Sequence, residues 1–144
     1  MIKVLMADDN DILREGLKQL FLWAGDIFVS GIAINGAQVL EQLGLGGFDI
    51  LLLDMAMPEP NGVDLIARIR AIGIKLPILV LSMHNDPQIV RLTLQAGASG
   101  YLTKDTEPEK LLKVIREIAA GGEYIPSFLL SNGLKTDTSH FVHI

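Results

Sequence analysis

Residues 48–62 read FDILLLDMAMPEPNG, and the reading of this stretch decides the fold. Ile50, Leu51, Leu52 and Leu53 form an apolar run without alternation, the pattern of a strand covered on both faces. The run ends on a carboxylate, Asp54, followed by the turn residues Pro58, Pro60 and Asn61-Gly62. A charge at the rim of a buried strand is costly unless something offsets it. The residues that could do so lie elsewhere in the chain.

Working outward, four more apolar runs stand at 2–7 (IKVLMA), 27–34 (IFVSGIAI), 77–82 (PILVLS) and 99–103 (SGYLT). Helical patterns fill the intervals. Leu13, Leu17, Leu20, Phe21 and Ala24 recur at helix spacing before Gly25, with Phe21 and Trp23 read as packing residues. A shorter helix is predicted from Asn35 to Leu43, stopped by Gly44, and a third after Asn61-Gly62 carries Val63, Ile66, Ala67 and Ile69 towards Gly73. Asp86-Pro87 supplies a cap and a first-turn proline for the fourth, which stops at Gly97. Its Ile89, Val90, Leu92, Leu94 and Ala96 spread beyond one face, which suits either a partner surface or one wide buried face. Thr106-Glu107-Pro108-Glu109 reads as a capping box for the fifth, with Leu111, Ile115 and Ile118 on one side.

Strands alternating with helices mean βα units around a parallel sheet. Five units are too few for a closed eight-stranded barrel, so the expected fold is α/β, an open, doubly wound, five-stranded parallel sheet; taken as the (βα)5 flavodoxin-like arrangement, its strand order is 2-1-3-4-5, which makes strands 1 and 3 neighbours. The 144 residues fit one domain, with residues 1–122 folded and 123–144 a tail or the start of a linker. A net charge of −5 gives no basic field for nucleic acid, and the absence of cysteine excludes disulfides and cysteine-bound zinc. No uncharged run approaches the ~18 residues of a membrane helix. A cytoplasmic protein with no membrane association is expected.

In such a sheet, ligands bind beyond the carboxyl ends of the strands. Those ends carry Asp8 and Asp9, Asp54, Ser82 and Lys104. Each alone has an ordinary explanation: a helix-starting acid, a loop hydroxyl, a solvated lysine, or for Tyr101 a half-buried strand aromatic. Together, three carboxylates on one patch repel unless a cation joins them. Mg²⁺ fits, since it takes oxygen ligands and commonly one or two carboxylates with a phosphate oxygen. A lysine and a hydroxyl facing the patch suit the remaining oxygens of a phosphoryl group. Asp54 then reads as a nucleophile that forms an aspartyl phosphate.

Four pieces in order, ADD after the first strand, DMAMPEPNG with Asp54, LS ending at Ser82, and GYLTKD with Tyr101 and Lys104, resemble the receiver domain of two-component response regulators. The stretch from Gly100 to Leu129 is similar to the NarL/FixJ-type subgroup, whose receivers usually precede a helix-turn-helix domain. The resemblance implies Asp54 as the phosphorylation site, not an enzyme active site. It implies Mg²⁺ held by Asp9 directly, Asp8 mainly through water, Asp54 and the Ala56 carbonyl. Ser82 and Lys104 would hold the phosphoryl oxygens, and Tyr101 would be the aromatic that turns inward when Ser82 moves. The donor would be a phosphohistidine on a sensor histidine kinase, with a homodimer among the expected consequences of phosphorylation.

The 22 residues after Gly122 are too few for a DNA-binding domain, so no direct nucleic-acid contact by this chain is expected. A fragment ending in the linker of a transcription regulator is preferred, with a stand-alone receiver acting through protein contacts as the alternative. Two positions depart from the family pattern. Asp105 stands where proline often follows the lysine, and Ala56 is often polar; with His84 it flanks the approach of a hydrolytic water and would modulate dephosphorylation. Ala56 also argues against a haloacid-dehalogenase-like phosphatase, which needs a second Asp there as general acid. Gly44–Gly47 precedes a strand instead of following one, so it is no nucleotide loop. His84, His140 and His143 are too scattered for a metal site.

Overall fold

The computed structural model describes residues 1–57, 62–126 and 129. Pro58, Pro60, Asn61, His140 and His143 lie outside the described residues. The elements run β1 (Ile2–Ala7), α1 (Asp11–Ala24), β2 (Ile27–Ala33), α2 (Gly36–Leu45), β3 (Ile50–Asp54), α3 (Gly62–Ala71), β4 (Ile78–Ser82), α4 (Pro87–Ala96), β5 (Gly100–Thr103) and α5 (Pro108–Ala119). The five strands pair in parallel in the order β2-β1-β3-β4-β5, as expected.

Strand alternation sorts the core into two layers. Val4, Met6, Ile50, Leu52, Leu79, Leu81 and Leu102 face α1 and α5, packing with Leu17, Phe21, Leu111 and Ile115. Leu5, Ala7, Leu51, Leu53, Ile78, Val80 and Tyr101 face the other side, with Val39, Leu65, Ile66, Ile69, Val90 and Leu94 of α2, α3 and α4. Every residue of β3 and β4 is buried, which explains their unbroken apolar runs.

Several boundaries differ from the sequence reading for local reasons. The second helix runs through Gly44 to Leu45 and stops at Gly46, whose φ of 75° with ψ of −172° is a backbone conformation that glycine alone adopts readily. Thr106 is not the cap of α5. Pro108 occupies the first turn and holds Glu107 extended (φ −60°, ψ 142°), so Glu107 is the capping position and makes no side-chain cap bond. On α1, Phe21 is buried as expected, but Trp23 is 75% exposed and packs no core. In α4, Val90, Thr93 and Leu94 are buried, while Ile89 and Leu92 face outward.

The largest departure follows Gly122, where a tail was expected. Tyr124 forms a parallel bridge to Gly100, its N–H donating to the Ser99 carbonyl at 2.9 Å. Ile125 and Leu129 are buried in the same cluster as Tyr101, Val90 and Leu94. Each such side chain contributes roughly 1.5–3 kcal/mol on burial, so the packed unit extends beyond residue 122.

Candidate functional site

The polar strand ends converge at one edge of the sheet. Asp8 and Asp54 are both buried, and their carboxylates with that of exposed Asp9 lie within 4.8 Å of one another. Lys104 Nζ sits 3.0 Å from Asp54 Oδ1 and 3.8 Å from Asp8 Oδ2. The alternation of the sheet explains the grouping: Asp8, Asp54 and Lys104 continue the parity of Met6, Leu52 and Leu102 towards α1 and α5. Ser82 and Tyr101 share the opposite parity, on the α4 side.

Backbone groups fix the carboxylates. Asp54 Oδ1 accepts from the Ala56 N–H at 3.0 Å, and Asp8 Oδ1 from the Asn10 N–H at 2.8 Å. Burial raises the Asp8 pKa above the ordinary carboxylate value; the Asn10 N–H opposes this, the Asp54 charge adds to it, and Lys104 lowers it again. One lysine facing three carboxylates leaves net negative charge in a site whose donors are all oxygens. That is the donor set of a hard divalent cation, so these residues fit a metal.

On the other side, Ser82 Oγ accepts from the His84 N–H at 3.1 Å, and the Tyr101 hydroxyl donates to the His84 carbonyl at 2.8 Å. The Tyr101 ring is thus already inward, 1% exposed. Burial raises its pKa, the Ser82 hydroxyl opposes, and the Asp86 charge adds. The Lys104 N–H donates to the Ser82 carbonyl at 2.8 Å, joining the two halves through backbone. Asp105 accepts from the Thr103 hydroxyl.

The structure brings Asp8, Asp9, Asp54 and Lys104 together, and Ser82 with Tyr101 beside them. Ala56 and His84 are exposed, and both reach the site through backbone atoms instead of side chains. Two residues not singled out in the sequence also serve it. Asn10 caps α1, its side chain accepting from the Ile12 and Leu13 N–H groups. Arg14 donates to the Asp8 carbonyl at 2.6 Å and pairs with Asp11. The Asn10 cap is signalled by its residue type, whereas the Arg14 contact has no pattern in the sequence.

The acid cluster and lysine at the carboxyl ends of a 2-1-3-4-5 sheet define a class, and comparison with known proteins gives the same one. The response regulator receiver domain model matches residues 4–116, and the chain belongs to that family. The nitrate/nitrite response regulator NarL of Escherichia coli K12 is 42% identical over 118 residues, covering 82% of this chain and 55% of that protein. The chain therefore spans about half the length of this curated relative. Among solved structures, the signal receiver domain of a NarL response regulator from Mycobacterium tuberculosis is 33% identical with a TM-score of 0.78, covering 83% of this chain and 97% of that one. A LuxR-family two-component response regulator from Aurantimonas has a TM-score of 0.83 at 26% identity, over 94% and 96% of the two chains. The chain is a receiver domain of the NarL/LuxR type, a signalling domain.

Proposed function

We propose that Asp54 accepts a phosphoryl group from a phosphohistidine on a sensor histidine kinase. The observation that carries this reading is the Asp54 carboxylate, 4% exposed at the end of β3 and 3.0 Å from Lys104 Nζ. A carboxylate oxygen of Asp54 attacks phosphorus, the P–O bond forms as the P–N bond to histidine breaks, and the histidine keeps the electron pair with a proton. Lys104 then holds a phosphoryl oxygen, as does the Ser82 hydroxyl once released from the His84 N–H. Asp9, Asp54 and the Ala56 carbonyl, with Asp8 mainly through water, would hold Mg²⁺, which would supply neutralisation of charge on the transferring group. The Ala56 N–H and Lys104 fix the nucleophile's orientation in advance, so little reorganisation accompanies attack.

Relatives named as response regulators and transcriptional regulatory proteins support reading the whole protein as a transcription regulator; that it is a cytoplasmic phosphoprotein acting through a DNA-binding domain and dimerising on phosphorylation is our inference. Acetyl phosphate with Mg²⁺ replaces the kinase in a test. Intact-mass analysis should show one phosphoryl group added to the parent and none to Asp54→Asn. The same gain in Asp54→Asn would overturn the assignment.

A further inference from the structure

Beyond α5 the chain returns to the free edge of β5, and what it meets there is the switch half of the site. The Tyr124 backbone extends the sheet at Gly100, where an added Cβ would come within 2.6 Å of Ile118 and 3.2 Å of the Tyr124 carbonyl. Glycine is therefore what lets this segment approach. Lys110 lies over the Tyr124 ring, 5.2 Å from its centre, and ties the segment to α5. Ile125 and Leu129 enter the cluster that contains Tyr101 and the buried side of α4. A cavity of about 200 Å³ separates Tyr101 from this segment, with Asn85, Thr106, Lys110, Tyr124 and Pro126 in its lining.

We infer that residues 123–126, with Leu129, form a strap whose docking on β5 and α4 reports the state of Asp54, through Ser82, the His84 backbone and Tyr101. The inference rests on Asp54 being the phosphoacceptor. Ser82 Oγ accepts from the His84 N–H, and Tyr101 donates to the carbonyl of the same residue. Drawing the Ser82 hydroxyl towards a phosphoryl group therefore moves the backbone that holds the Tyr101 ring. An inward ring completes the wall against which Ile125 and Leu129 pack. The docked strap gains two apolar side chains and a ladder bond against the cost of ordering its backbone, terms close enough for a modest bias to shift the balance. Holding Tyr101 inward favours the docked strap, so the site sets the position at which the chain leaves the domain.

Hydrogen exchange on the 144-residue chain reads this directly, because the Tyr124 amide is bonded only while the strap is docked. Beryllofluoride with Mg²⁺, an acyl-phosphate mimic, should slow exchange at Tyr124 by about tenfold. Without any addition, Ile125→Ser should speed it. Tyr101→Phe keeps the ring but not its hydroxyl, so it should keep the basal protection and lose most of the response. A response at residues 83–86 with none at Tyr124 would overturn the strap and leave the phosphoacceptor intact. So would Ile125→Ser exchanging like the parent. No response at either place, with no mass gain from acetyl phosphate, would overturn both.

Discussion

Two helices of this domain carry an arginine in the last turn, Arg70 in α3 and Arg116 in α5, and the two do opposite work. In the last turn of α5, Arg116 forms a two-bond pair with Asp26 at 2.8 and 2.9 Å, with both side chains open to water. In the last turn of α3, Arg70 donates instead to the carbonyls of Gly97, Ile74 and Leu76 at 2.8–3.0 Å. The first is an ion pair at the surface, where solvent takes back most of what the charges gain. The second is a clamp from inside the fold, and one of its anchors is the residue that ends α4. The fold thus pins the far end of α4, while the near end, residues 83–89 beside the site, stays exposed. A helix held at one end and free at the other suits the half of the domain that, on the proposed function, responds to Asp54.

The strongest way to break that comparison is to remove the clamp. Arg70→Met keeps much of the apolar stem but leaves three carbonyls short of a donor, and should cost about 2–4 kcal/mol of unfolding free energy in a denaturant titration. Arg116→Met should leave the denaturant midpoint nearly unchanged. Equal losses in the two variants would mean that the exposed pair matters as much as the clamp, and the contrast between the faces would fail.

This contrast also marks what the sequence could and could not show. Asp8, Asp54, Ser82 and Lys104 were legible because a parallel sheet puts functional side chains at strand ends, and strand ends are visible as the last residues of apolar runs. The 2-1-3-4-5 order, expected for a flavodoxin-like sheet, is the order observed. Arg70 was not legible: its main anchor, Gly97, lies 27 residues away and offers a carbonyl, which every residue has. Arg14 is the same case, bound to the Asp8 backbone. His84 was read for its ring, yet the structure uses its N–H and carbonyl. The packing of Ile125 and Leu129 was hidden because two glycines, Gly121 and Gly122, look like an ending when they are a turn back to the sheet. Backbone partners and tertiary returns leave little trace in composition or period.

A smaller effect sharpens the comparison at the site itself. Hydrolysis of an aspartyl phosphate needs a water in line with the Asp54 oxygen, and we propose that Ala56 and His84, both exposed, flank that approach. Ala56 has no polar side-chain atom to orient the water, so the parent should lose its phosphoryl group slowly. Ala56→Asn or Ala56→Glu should speed the loss by about tenfold, a fraction of the 10²–10⁴ that general-base positioning commonly gives. His84→Ala separates two roles for the ring: slower loss means it accepts a proton from the water, faster loss means it obstructs. A fast parent rate, or no response at position 56, refutes the expectation.

The smallest expected effect sets two aspartates against each other. Arg116 holds the Asp26 carboxyl below its ordinary value, whereas burial raises that of Asp8. The signs differ accordingly. What Asp26 contributes is present above the ordinary carboxylate pKa of about 3.9 and is lost as pH falls through its lowered folded value. What Asp8 contributes is full below about 3.9 and is lost as pH rises through its raised folded value. At neutral pH, then, the charged Asp8 opposes folding in the absence of a cation. Asp8→Asn should raise the thermal midpoint by a few degrees at pH 7 and narrow the difference at pH 4, where Asp8 is closer to neutral. Added Mg²⁺ should reverse the ranking, since a ligand at 100 times its dissociation constant stabilises by about 2.7 kcal/mol and the variant has lost one of the carboxylates that bind it. If Asp8→Asn melts below the parent at pH 7 without Mg²⁺, the acid cluster is not held against its own repulsion. Lys104 would then be sufficient to neutralise it.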